Sequence, residues 1–127
     1  MNIKIDFFTE NFIDAIGAGI YRIVINHHNE DEILYIGESV FVLVRCATHL
    51  FNLKKEPFYF GFDRKSIENS DITLKFELIQ SCSSKVERKK LEKNFIKELH
   101  PSMQNGISDR MKTIDEKIEA LTNFLER

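Results

Sequence analysis

Gly19-Ile20-Tyr21-Arg22-Ile23-Val24-Ile25-Asn26, then His27-His28-Asn29-Glu30-Asp31, then Glu32-Ile33-Leu34-Tyr35-Ile36-Gly37, is the stretch on which the fold turns. Its opening segment carries Ile20, Ile23, Val24 and Ile25, a β-branched composition that suits a pleated strand. The middle segment is polar and reads as a turn, and the last segment reads as a second strand. Two strands so closely joined pair as an antiparallel hairpin. Tyr21 and Tyr35 then sit on paired strands, where their rings can lie side by side on one face.

Working outward, Ser39 is placed to cap a helix running to about Phe51. Val40 to Val44 is β-branched and ambiguous alone, but the preceding glycine and the polar residues spaced after it favour a helix. Residues 52–69 read as a loop, punctuated by Pro57 and Gly61. Ile72, Leu74, Phe76 and Leu78 alternate within Asp71 to Gln80, which predicts a third strand. Ser83 or Ser84 caps a helix from about Lys85 to Leu99, stopped by His100-Pro101. Gln104-Asn105-Gly106 is a turn. Met111, Ile114, Ile118, Leu121 and Leu125 then recur at helical spacing in an amphipathic closing helix, about 108–126. Residues 1–18 read as a short helical or irregular lead-in. The order β-β-α-β-α-α predicts a small α/β (α+β) arrangement in a single domain over 1–127, with no dividing linker.

At 127 residues and 43% apolar composition the chain has material for one core, which argues against a disordered or repeat protein. No apolar run approaches a membrane span and no secretory leader is visible, so a cytoplasmic protein without membrane contact is expected. Cys46 and Cys82 lie far apart and outside any CxxC pattern, as for two reduced thiols. The net charge of −2 argues against coating nucleic acid by bulk electrostatics. Its distribution matters more than its sum, because Lys85, Arg88, Lys89, Lys90, Lys93 and Lys97 crowd one stretch. That cluster is either a solvated face or a surface for phosphates, with Lys89 and Lys93 the candidates for substrate contact.

Arg45 and His49 are four residues apart on the first long helix, one turn apart on the same side. Glu92 falls in register with Ile96 and Leu99 on the second. A carboxylate on an apolar stripe must be paired, bound to a metal, or facing a cleft. Phenol, guanidinium, imidazole and carboxylate together suit phosphodiester hydrolysis. Taken one at a time, each also has an ordinary reading: packed hairpin tyrosines, an exposed helix face, a surface glutamate.

In order and spacing, these residues resemble the GIY-YIG nuclease family. Gly19-Ile20-Tyr21 and Tyr35-Ile36-Gly37 match both name-giving tripeptides. Arg45 matches the arginine ten residues after the second motif's tyrosine, and His49 matches the residue one turn later. Glu92 matches the metal-binding glutamate, and Pro101 and Asn105 match the proline-then-asparagine ending. The likeness covers about 19–106. It implies a three-stranded antiparallel sheet flanked by helices, and one-metal endonucleolytic cleavage with DNA favoured over RNA. By that resemblance Tyr21 or Tyr35 activates the attacking water, with Tyr21 preferred, while Glu92 holds one Mg²⁺ or Mn²⁺. Arg45 steadies the phosphate, and His49 positions water or assists proton transfer. Gly19 and Gly37 support the site, and Asn105 ties the turn to the hairpin by hydrogen bonds.

The chain departs from the family at two places. The interval between the tripeptides is slightly long, which should lengthen the hairpin turn. Glu38 stands where several members carry Lys or another non-acidic residue, and Glu87 is a weaker rival for Glu92. His27 and His28 are expected in an exposed polar turn. The expected activity is therefore a stand-alone metal-dependent DNA endonuclease, monomeric or homodimeric. The alternative is a nucleic-acid-binding or protein-interaction module of the same fold without turnover.

Overall fold

The computed structural model describes residues 3–56, 61–62 and 71–104. Among them run β1 (Ile3–Phe7), α1 (Phe12–Ala15), β2 (Gly19–His27), β3 (Glu30–Ser39), α2 (Val42–Lys55), β4 (Ile72–Ser81) and α3 (Lys85–Leu99). The strands form one sheet in the order β1-β4-β2-β3. β2 pairs antiparallel with both β3 and β4, and β1 joins β4 in parallel. The fold is mixed α+β, as expected in class. The sheet corrects the expectation in two ways, having four strands where three were expected and being mixed where it should have been wholly antiparallel.

The extra strand comes from the segment read as a lead-in. Ile3-Lys4-Ile5-Asp6-Phe7 alternates apolar with polar residues, a strand signal over too short a run to stand alone. Its partner lies some seventy residues away, with Ile3 opposite Ile72 and Phe7 opposite Phe76. Pairing there covers what would otherwise be an open edge of β4.

The β2–β3 hairpin forms as expected, but its turn is short. His27 pairs with Glu30, leaving His28 and Asn29 as a two-residue loop with φ of 53° and 64°. Two successive left-handed residues define the type I′ turn, whose twist matches that of the flanking strands. The added residues between the tripeptides therefore extend the strands, and a register shift between Ile23 and Val24 absorbs one of them at Leu34.

One side of the sheet carries the main core. Tyr21, Ile23 and Ile25 of β2 meet Ile72, Leu74 and Phe76 of β4, with Phe8, Phe62 and Met103 around them. Val42, Cys46, His49 and Leu53 form the buried stripe of α2 that packs on this face. The helix starts later than expected. Ser39 is not its cap, because the Ser39 Oγ accepts from the Phe41 N–H at 3.0 Å and the helix opens at Val42 without a side-chain cap. The opposite face buries Ile20, Val24 and Ile36, and α3 packs against β3 and β2. The bounds of α3 agree with the expected Lys85 to Leu99. Ser84 caps it by accepting from the Glu87 N–H, and His100 ends it in the left-handed region.

β3 is an edge strand, and the chain after α3 covers it. Ser102 N–H donates to Ile33 O at 2.9 Å and Met103 N–H to Leu34 O at 2.8 Å. The Gln104 amide then engages Ile36 twice, accepting from its N–H at 2.8 Å and donating to its carbonyl at 2.7 Å. Asn105 and the expected closing helix, about 108–126, lie outside the described residues, as does most of the loop over 57–70. Among the described residues no helix is long and apolar enough to cross a membrane.

Candidate functional site

The two tripeptides meet across the hairpin. Tyr21 lies directly opposite Gly37, and Tyr35 lies opposite Ile23. The two tyrosines are thus diagonal neighbours on one face, with ring centroids 6.2 Å apart. The Tyr21 phenol passes over Gly37. A Cβ there would collide with the Tyr21 hydroxyl and ring, so glycine is required by space. Gly19 is held by the same logic, since a Cβ would come within 2.5 Å of the Gln80 carbonyl oxygen. The glycine of each tripeptide is therefore fixed by close approach, at Gly37 to the other tripeptide's tyrosine and at Gly19 to β4.

His49 completes this half of the site. Its Nε2 lies 2.9 Å from the Tyr21 hydroxyl in a buried hydrogen bond, and its ring meets Tyr35 edge-on at 5.4 Å. Tyr21 and His49 are each 1% exposed. Burial, with the Arg45 charge adding to it, lowers the His49 pKa to about 4, so the imidazole is neutral at pH 7. Burial raises the Tyr21 pKa, as does its closeness to Tyr35 and Cys46, and the Arg45 charge and hydrogen bond oppose this without prevailing. Arg45 itself is exposed on α2, so a charged residue at the surface lies within reach of the buried phenol. Burial likewise pushes the Cys46 thiol up, which leaves it a packing residue.

Glu92 belongs to a second cluster, on the side of β3 that faces α3. Because Ile36 turns its N–H and C=O outward to Gln104, the pleat turns the N–H of Glu38 outward as well. The Glu92 carboxylate accepts a hydrogen bond from that Glu38 backbone group. Burial raises the Glu92 pKa and the Glu38 charge adds to this, while Lys89 and the backbone hydrogen bond pull the other way. Glu92 thus reaches the edge of β3 just beyond Gln104, at the residue next to Gly37, over which the Tyr21 phenol lies.

Glu38 is committed elsewhere. Its Oε2 accepts from Arg88 Nε at 2.9 Å and its Oε1 lies 3.4 Å from Lys89 Nζ. Burial alone would raise its pKa, but the hydrogen bonds from Arg88 and Lys89 outweigh that and hold it below the usual carboxylate range. Arg88 is buried and also donates through Nη1 to the carbonyls of Ser83 at 2.8 Å and Cys82 at 3.3 Å. Sequence alone places Arg88 in a basic cluster that is either a solvated face or a surface for phosphates, and the structure buries it instead. A signal was present, because Arg88 is four residues before Glu92 on the same stripe. Lys85, Lys89, Lys90, Lys93 and Lys97 are exposed, as either reading of that cluster expects.

Gln104 ties the segment after α3 to the hairpin, while Asn105, the residue expected in that role, lies outside the described residues. His27 is 6% exposed, which corrects its expected place in an exposed turn. Its Nδ1 lies 3.1 Å from the Asp71 carbonyl oxygen, and its ring abuts His28 at 3.9 Å.

The donor set fits a hard divalent cation held loosely. Magnesium keeps most of its waters and binds through one or two carboxylates. Glu92 offers one such carboxylate, part-buried and at a strand edge. Among the described residues no group of three or more His, Cys, Asp or Glu comes together, so a closed protein cage is not formed there. Comparisons of the chain with protein-family models, with curated proteins and with solved structures gave no match.

Proposed function

We propose that this chain is a metal-dependent phosphodiesterase of the GIY-YIG nuclease kind, cutting nucleic acid and DNA in preference. The observation that carries the reading is the convergence at the end of β3. The Tyr21–His49 pair lies over Gly37, and Glu92 reaches the same strand edge one residue further on. Phenol, imidazole and guanidinium come together from β2 and α2, and the carboxylate from α3 reaches the neighbouring residue of β3.

Glu92 is the residue that would hold a Mg²⁺ or Mn²⁺ ion, which when bound supplies positive charge to the scissile phosphate. Arg45, exposed on α2, forks onto a phosphate oxygen and fixes the group for in-line attack. Tyr21 works as a relay, since burial opposes a standing phenolate. As the water oxygen bonds to phosphorus, the water proton passes to the Tyr21 oxygen. The phenol proton passes to His49 Nε2, which is free to accept in the neutral Nδ1–H tautomer. The bond from phosphorus to the leaving oxygen breaks, and that oxygen takes a proton from solvent. The low pKa of His49 makes its protonated form short-lived, so the relay resets as His49 returns its proton to the Tyr21 oxygen and that oxygen releases the water-derived proton to solvent, replacing the one taken by the leaving oxygen. Tyr35 packs against both rings and holds their mutual angle.

A module of the same fold without turnover is the second reading. Its support is Glu38, which occupies Arg88 and Lys89, cations beside Glu92 that could otherwise meet phosphate. One assay separates the two. Supercoiled plasmid and labelled single strands are incubated with the protein and Mg²⁺ or Mn²⁺, beside Glu92→Gln. Metal-dependent cleavage absent from the mutant supports the enzyme. If wild type and mutant behave alike, the catalytic reading fails.

A further inference from the structure

The Glu38–Arg88 pair is the most buried ion pair among the described residues, with side chains 14% and 6% exposed. It also sits where the two halves of the candidate site join. Glu38 precedes Ser39 at the end of β3 and follows Gly37, the residue beneath the Tyr21 phenol. Arg88 lies one helical turn before Glu92 on the same face of α3. The Arg88 guanidinium is itself held at both ends, by Glu38 on one side and by the Ser83 and Cys82 carbonyls on the other. Through those carbonyls it grips the segment that leads from β4 into α3. Glu38 then presents its backbone N–H to Glu92.

We propose that Glu38 and Arg88 are positioning residues that set the Glu92 carboxylate at the edge of β3, beside the residue that follows Gly37. The proposal rests on the nuclease reading for its functional meaning, and on the geometry alone for its mechanics. Without the pair, nothing polar on the first two turns of α3 fixes its angle to β3 except Lys89, whose side chain is 59% exposed. The last two turns are held by Leu91, Phe95, Ile96 and Leu99, which are part-buried and apolar and so less exacting in direction. Guanidinium–carboxylate hydrogen bonds are directional, and they are what converts packing into a defined placement of Glu92. Partners of this kind, which orient a metal-binding group, typically change metal affinity or activity by about 10–100-fold when removed.

Removing one partner alone would strand a buried charge and could unfold the chain. The test therefore uses Glu38→Leu with Arg88→Met, an exchange of a buried pair for apolar groups that proteins often accept without loss of stability. Three quantities are measured on wild type and double mutant: the melting temperature, hydrogen exchange of the Glu38 amide, and Mn²⁺ affinity by electron spin resonance. Glu38→Gln with Arg88 kept, which preserves an acceptor oxygen for Arg88 and leaves its bonds to the Ser83 and Cys82 carbonyls in place, is the conservative arm. The expected result is a folded double mutant whose backbone amide at position 38 exchanges at least tenfold faster and whose Mn²⁺ affinity falls about 10–100-fold, with a smaller effect in Glu38→Gln. A folded double mutant with unchanged amide exchange overturns the proposal. Should wild type bind no Mn²⁺, the metal reading of Glu92 fails, while the amide measurement still decides whether the pair positions that carboxylate. If the double mutant unfolds, Arg88→Lys, which keeps the charge and loses the fork, is read by the same amide exchange.

Discussion

Replacing Gly37 with alanine should be far more costly than an added methyl suggests. Gly37 has an ordinary negative φ, since the positive-φ glycine among the described residues is Gly61. The backbone therefore accepts alanine, and by chain entropy alone the change would gain about 0.5–1 kcal/mol. Space decides the sign. The new Cβ would overlap the Tyr21 hydroxyl and come to 2.5 Å from Cζ and 2.9 Å from Cε1. Tyr21 is 1% exposed and has no solvent to swing into. Either the sheet bends or the phenol leaves His49. Overpacking costs roughly 1–3 kcal/mol, and an orphaned buried hydrogen-bonding group adds roughly 1–3 kcal/mol. The net loss is then about 3 kcal/mol, which lowers a urea midpoint by about 1.5–2 M for an m-value near 1.5–2 kcal/mol/M. A double-mutant cycle with Tyr21→Val isolates the cause, because the smaller side chain vacates the space that the new methyl needs. The coupling between the two changes should be about 1–3 kcal/mol in the compensating direction. Additivity within about 0.5 kcal/mol would refute the steric account of Gly37.

Three more outcomes follow from the same geometry. His49 has a folded pKa of about 4 against an ordinary 6.5, so the unfolded chain binds more protons between those values and stability rises with pH. The contribution, roughly 3 kcal/mol, is complete above pH 6.5 and is lost as pH falls toward 4; urea titrations from pH 7.5 to 4 should show it, and His49→Gln should flatten that part of the profile. Gln104→Ala removes both bonds to Ile36 and reopens the edge of β3, so about 1–3 kcal/mol of stability should go and light scattering at high concentration should rise. Arg45→Ala, on an exposed position of α2, should change the melting temperature by no more than a few degrees while abolishing any cleavage; unfolding instead would make Arg45 a structural residue.

Much of the local structure was legible because its causes are local. The hairpin followed from β-branched runs around a polar turn, and α3 from Ser84 at one end and His100-Pro101 at the other. The apolar stripe through Glu92 was visible as a period. Less visible were features whose partners lie far along the chain. β1 needed the edge of β4 before its five residues meant anything. The start of α2 moved to Val42 because Ser39 spends its hydroxyl on a turn.

What the sequence by itself determined is that the two tripeptides fall on the paired strands of one hairpin; the register that sets Tyr21 against Gly37 was decided by the two-residue turn and the bulge at Leu34, which only the structure shows. The sequence also determined the candidates Arg45, His49 and Glu92, whose spacings are helical and need no fold to be read. Tertiary structure alone decided their protonation and reach. Burial, which no local pattern reports, made His49 a neutral acceptor and kept Tyr21 a phenol. A buried guanidinium from α3 turned Glu38 from a stray acidic residue into the joint beside Glu92, because charge removed from water must find its partner wherever the chain brings one.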